Sequence, residues 1–113
     1  MADCIFCKIA KHELGSDSVY EDNEFLAFRD INPAAPTHVL LIPKKHVSSL
    51  LDEGAEQELL GKMMALVPRL AKELGLADDG FRVVINTGQE GGQTVDHLHI
   101  HILGGRVLQW PPG

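Results

Sequence analysis

"QTVDHLHIHILGG", residues 93–105, places three histidines at every second position. His97, His99 and His101 alternate with Leu98, Ile100 and Ile102. Side chains on a strand point to opposite faces in turn, so this spacing predicts a strand with imidazoles on one face and aliphatic residues on the other. The aliphatic face packs under a helix, which leaves the imidazole face for a site. Successive rings start about 7 Å apart along such a strand, and the first and third more than about 13 Å apart. Metal–nitrogen bonds are about 2 Å long, so the three rings do not easily share one ion. That leaves a polar face that happens to use histidine, electrostatic phosphate binding, or a catalytic histidine whose neighbours hold the substrate.

The preceding loop separates these readings. "TGQEGGQT", residues 87–94, leads directly into the strand. Glycines let successive backbone N–H groups converge on an anion, although a Gly-Gly pair also serves a plain hairpin turn. Amides beside a row of imidazoles make a phosphate site with a nucleophile at hand. With a pKa of about 6.5, roughly three quarters of an ordinary histidine is neutral at pH 7 and able to attack phosphorus. The product is a phosphoryl-histidine that water resolves.

Working outward, "CIFCKIAKHEL" reads as one or two helical turns, and "SVYED" and "FLAFRD" as a hairpin. "DINPAAP" is a loop, "THVLLIPK" a mostly buried strand ending at Pro43, and "KHVSSLLDE" a connector with a helical turn. Leu59, Met63, Leu66, Leu70 and Leu74 stripe a helix over about 55–74 that stops at Gly75 and kinks at Pro68. "GFRVVINTG" supplies another strand. The order predicts an α+β domain with an antiparallel sheet and helices on one face.

The 113 residues suffice for one core and show no linker or repeat, so residues 1–113 form a single domain. The beginning "MADCIFCKIAKHE" does not read as a signal peptide, and no stretch is apolar for the ~20 residues that cross a bilayer. A soluble, cytoplasmic protein is expected. Net charge is −6 with scattered Lys and Arg, which disfavours nucleic acid and leaves room for a small phosphate ligand. No Walker loop is present. Cys4 and Cys7, in C-x-x-C spacing, suit a metal site or a redox pair more than a structural disulfide.

"HLHIHIL", together with "AFRDINPAAPTHVLLIPKKH", "GGQTVDHLHIHILGGR" and the terminal "WPPG", resembles the histidine-triad (HIT) superfamily, Hint branch, over nearly the whole chain. The resemblance implies a five-stranded antiparallel sheet with a short N-terminal helix and one long helix, and a homodimer joining two sheets. It implies hydrolysis of purine nucleoside 5′-phosphoramidates, chiefly adenosine ones, to AMP and an amine, with no catalytic metal. His99 would be the nucleophile, and His101 would contact the α-phosphate. Gly92, Gln93 and Thr94 would hold phosphate and leaving group through backbone amides and the Thr94 hydroxyl, with Asn86 nearby. Asp30 would take the ribose hydroxyls beside Ile31. Phe6, Ile9 and Phe28 would form the base slot, and Trp110 would reach toward the partner's site. Plainer readings stand beside these: Asp30 as a loop cap, the apolar three as core, and Trp110 as cover for a dimer seam. Some members bind structural zinc through two early cysteines, a mid-chain histidine and the first triad histidine, which here are Cys4, Cys7, His46 and His97. Reduced thiols are the plainer reading of Cys4 and Cys7, and His46 could instead face the nucleotide. His12 reads as surface and His38 as strand support. Where this branch has an aromatic residue before the triad, the chain has Asp96; its carboxylate must stay solvated at the strand's start.

Overall fold

The computed structural model describes residues 3–113; Met1 and Ala2, where the expected 1–113 domain starts, lie outside the described residues. The elements run α1 (Ile5–Ala10), β1 (Ser18–Glu21), β2 (Phe25–Arg29), β3 (Thr37–Pro43), α2 (Gln57–Glu73), β4 (Arg82–Val84) and β5 (Ile100–Gly104). The strands form one antiparallel sheet in the order β1-β2-β3-β5-β4. Among the described residues no helix is long and apolar enough to cross a membrane.

The helices cover opposite faces of this sheet, which corrects the one-face expectation. Phe25, Ala27, Val39, Leu41, Ile100 and Ile102 pack with Met63, Val67 and Leu70 of α2. Their neighbours Leu26, Phe28, Leu40 and Ile42 pack with Phe6, Ile9 and Ala10 of α1. Alternation makes these two sets two faces, and "FLAF" and "VLLI" are continuously apolar because both faces are covered.

Helix α2 runs unbroken through Pro68. The missing amide would have bonded the Met64 carbonyl; both residues lie on the exposed side, where water can take that carbonyl. The helix ends as read: Gly75, at φ +74°, donates to Lys72 O, and Leu76 N–H returns to Ala71 O. The connector after β3 forms turns rather than helix, with the Asp52 carboxylate taking the Ser48 and Gly54 amides. Strand β5 begins at Ile100, three residues later than read. Pro43 can donate no ladder hydrogen bond, and its carbonyl accepts from the His97 ring, so pairing stops before His97.

Candidate functional site

On the α1 side, an open cleft of about 240 Å³ lies between the helix and the β5 end of the sheet. Phe6, Ile9, Phe28, Asp30, Ile31, Thr94, His99 and His101 line it, so eight residues expected at one site meet there. The Phe6 ring stands edge-on to Phe28 (5.6 Å between centroids) and to His99 (5.1 Å). It is both core and cleft wall, so the two readings of this residue are compatible. Asn86, Gly92, Gln93 and Trp110 do not line this cleft. Asn86 follows β4 two residues past Val84, the register partner of His101. Trp110 is 80% exposed on the tail. Two carbonyls of that tail, Leu108 O and Gln109 O, accept from Arg82.

The three histidines are held in three different states by their partners. His97 is fully buried and its Nε2–H donates to Pro43 O at 2.8 Å, which turns the Nδ1 lone pair toward Cys4 Sγ (3.3 Å) and Cys7 Sγ (3.6 Å). His99 donates Nδ1–H to its neighbour's carbonyl, His97 O, at 2.7 Å, leaving the Nε2 lone pair free. This is the tautomer a histidine nucleophile requires. His101 has Nδ1 at 2.9 Å from His38 Nε2 and a buried Nε2 with no partner among the described residues.

The Ala34 amide decides how that pair is protonated. Ala34 N–H donates to His38 Nδ1 at 3.0 Å, so the proton of neutral His38 sits on Nε2. His38 Nε2–H therefore donates to His101 Nδ1, and His101 carries its own proton on Nε2. Burial, then the nearby His99 and His38, push the His101 pKa down to about 4. Burial likewise lowers His38, against the pull of Asp30. The result is a neutral imidazole offering one N–H donor beside the lone pair of His99; the two rings are 4.9 Å apart. Asp30, His38 and His101 have ligand atoms near one another as well. A metal on His38 Nε2 would put the proton on Nδ1, facing the Ala34 donor, so this trio suits a hydrogen-bond chain rather than an ion. His38, read from sequence as strand support, does lie in β3, but its hydrogen bond to the triad was missed by sequence reasoning. Asp30 itself caps the following turn, taking Asn32 N–H at 2.8 Å, and its other oxygen lies 3.5 Å from His38 Nε2.

The second constellation assembles fully. The ligand atoms of Cys4, Cys7, His46 and His97 all lie within 4.8 Å of one another. His46 Nδ1 is 3.2 Å from Cys7 Sγ, and Cys7 N–H approaches Cys4 Sγ at 3.4 Å where Cys4 caps α1. Two thiols and two imidazole Nδ1 atoms, one imidazole fixed from behind by the Pro43 carbonyl, fit a tetrahedral soft-metal site. Burial, then the Cys4 hydrogen bond and charge, raise the Cys7 thiol pKa, so a metal would have to displace its proton. His46 points here rather than into the cleft.

The glycine-rich loop is closed on itself. Gly92 N–H donates to Gln89 O and Gln93 N–H to Gly88 O. A Cβ on Gly91 would clash with the Thr87 carbonyl oxygen, so only glycine fits there. These two amides are thus spent within the turn. Among the described residues Thr94 N–H has no protein partner, and Thr94 is the loop residue that lines the cleft. Asp96 is exposed, as its solvation demands.

Residues 11–108 match the HIT domain family model. The chain belongs to the HIT family. HitA of Neisseria gonorrhoeae is 60% identical over 105 residues, covering 92% of this chain and 97% of that protein. The crystal structure of a HIT family hydrolase from Legionella pneumophila superposes with a TM-score of 0.94 at 48% identity, covering 98% of this chain and 100% of that one. A histidine triad nucleotide-binding protein from Candida albicans superposes at 0.83 with 35% identity, covering 96% and 83%. The triad of this HIT chain therefore divides: His99 and His101 line the cleft with their protons on opposite ring nitrogens, and His97 joins Cys4, Cys7 and His46.

Proposed function

We propose that this HIT protein is a hydrolase of purine nucleoside 5′-phosphoramidates, adenosine preferred. The observation that carries the reading is the pairing of a free His99 Nε2 lone pair with a free His101 Nε2–H donor at the cleft. His99 Nε2 attacks phosphorus, the P–N bond breaks, and the amine leaves with a proton drawn from solvent and passed through the Thr94 hydroxyl. His101 Nε2–H and Thr94 N–H hold the phosphate oxygens as charge builds. Water then cleaves the nucleotidyl-His99 bond, releasing AMP and restoring the imidazole. Phe6, Ile9 and Phe28 form the base slot, Asp30 accepts from the ribose beside Ile31, and Asn86, Gly92 and Gln93 stand behind the phosphate, outside the cleft lining. A hydrolase and a nucleotide-binding protein among the structural neighbours support this chemistry.

Cys4, Cys7, His46 and His97 would hold a structural zinc, which cross-links α1 to the segment after β3 and supplies no step of the reaction. No catalytic metal takes part. A second copy would cover the α2 side, where Leu60, Met63, Met64 and Ile85 line an apolar cleft of about 630 Å³ next to the open β4 edge, and would bring Trp110 toward the partner's site. The setting is cytoplasmic. Incubation with adenosine 5′-phosphoramidate tests the activity: AMP should form, and His99→Ala should abolish it while still binding AMP. Binding without turnover in the unmodified protein would reduce the reading to a nucleotide-binding module.

A further inference from the structure

We propose that Gln93 is a positioning residue that holds the phosphate loop in register with the nucleophile, rather than a ligand contact. The inference rests on the phosphoramidase reading for its kinetic part and on the loop alone for its structural part.

The Gln93 carboxamide is spent entirely on backbone. Its Oε1 accepts from Gly88 N–H at 3.0 Å, and its Nε2 donates to Ser48 O at 2.7 Å and Val95 O at 3.0 Å. Both amide protons are used, so no donor remains for a phosphate. The orientation is unambiguous, because turning the amide over would set its oxygen against two carbonyls and its NH₂ against an N–H. Gln93 N–H also donates to Gly88 O, so Gly88 is clasped at both its amide and its carbonyl. Gly88 sits at φ +73°, a conformation held here by two bonds from one residue.

The brace reaches a firm anchor. Ser48 belongs to the turn closed by Asp52, and its neighbour Val47 is fully buried. Val47 O takes Leu98 N–H at 2.6 Å. The chain from 93 to 98 is therefore tied to adjacent carbonyls, Val47 and Ser48, at both its ends. Thr94 lies between the ties and faces the cleft with His99, although Gln93 does not line it. A nucleoside would be gripped by the apolar slot and Asp30, which the brace does not touch. Loosening the brace should misaim the phosphate donors and slow the chemical step while leaving nucleotide affinity nearly intact.

Two variants test this. Gln93→Glu keeps the volume and the acceptor for Gly88, but faces the Ser48 and Val95 carbonyls with no proton. Gln93→Ala removes all three bonds. Amide exchange at Gly88, AMP affinity, and kcat and KM for adenosine 5′-phosphoramidate are measured in each. The expected result is Gly88 exchange faster by about tenfold or more in Gln93→Ala, with kcat reduced about tenfold or more in both variants and AMP affinity within about threefold. Near-normal kcat in Gln93→Glu overturns the proposal, as does unchanged Gly88 exchange in Gln93→Ala. Collapse of AMP affinity with kcat intact also overturns it and makes Gln93 a ligand contact. If the unmodified protein turns over no phosphoramidate, the phosphoramidase reading fails, and Gly88 exchange still decides whether Gln93 braces the loop.

Discussion

Replacing His38 by phenylalanine isolates the hydrogen-bond chain from Ala34 through His38 to His101. The ring volume is kept while both nitrogens are lost. The Ala34 amide lies on an exposed residue and can turn to water. The His101 Nδ1, 2.9 Å from its partner in the native chain, is left facing a phenyl edge. An unsatisfied buried group of this kind costs about 1–3 kcal/mol. For a domain of this size each kcal/mol moves Tm by roughly 4 °C, so Tm should fall by about 4–12 °C. Activity should fall further than stability alone explains. With no donor at Nδ1, the His101 proton is free to shift there, and Nε2 then presents a lone pair to the phosphate instead of an N–H. Losing a preorganised donor outright costs about 3–4 kcal/mol in the transition state, and loosening one should cost about half of that. We expect kcat/KM for adenosine 5′-phosphoramidate to drop about 10- to 30-fold, with AMP affinity by calorimetry little changed. His38→Gln, which restores an amide donor near His101, should recover part of the loss. A folded His38→Phe protein with kcat/KM within threefold of the native value would refute the assigned direction of the chain.

Acid should weaken the fold through the same two rings. His101, at about 4, and His38, also lowered, bind fewer protons folded than unfolded. Their contribution is full above the unfolded pKa of about 6.5 and is lost as pH falls toward about 4. Denaturant titrations at pH 7.5, 6 and 4.5 should therefore show a declining midpoint, and an unchanged midpoint would contradict the buried neutral pair. If the Cys4–Cys7–His46–His97 set holds zinc, chelation should lower Tm, since a metal present at about a thousand times its Kd stabilises by about 4 kcal/mol. Protein purified without chelator should carry close to one zinc per chain by elemental analysis, and Cys7→Ser should carry far less. Metal-free protein with unchanged Tm would reject a structural role.

Much of the fold was legible because periodicity is a local property. The alternation at 97–102 assigned one aliphatic and one imidazole face, and the Leu59–Leu74 stripe announced α2. The side of the sheet taken by α1 was not read, although the unbroken apolar runs "FLAF" and "VLLI" carried the signal that both faces are covered. The start of β5 was misjudged because alternation continues through His97 while pairing does not. Where the ladder stops depends on Pro43, fifty-four residues away. The resemblance brought out the eight cleft-lining residues and the set Cys4, Cys7, His46 and His97, and composition alone would have yielded neither. His38 escaped because its role depends on the Ala34 amide, which no side-chain pattern records. A weak signal existed: His38 shares the alternation of Leu40 and Ile42, and so the face of α1.

His99 alone among the three rings presents a lone pair to the cleft. Rapid quenching of the protein with adenosine 5′-phosphoramidate, followed by peptide mass spectrometry, tests it most directly. An adenylyl group is expected on His99, with none in His99→Ala and none on His97 or His101. Steady turnover with adenylylation on another histidine, or with none accumulating even in a variant slowed at hydrolysis, would contradict it.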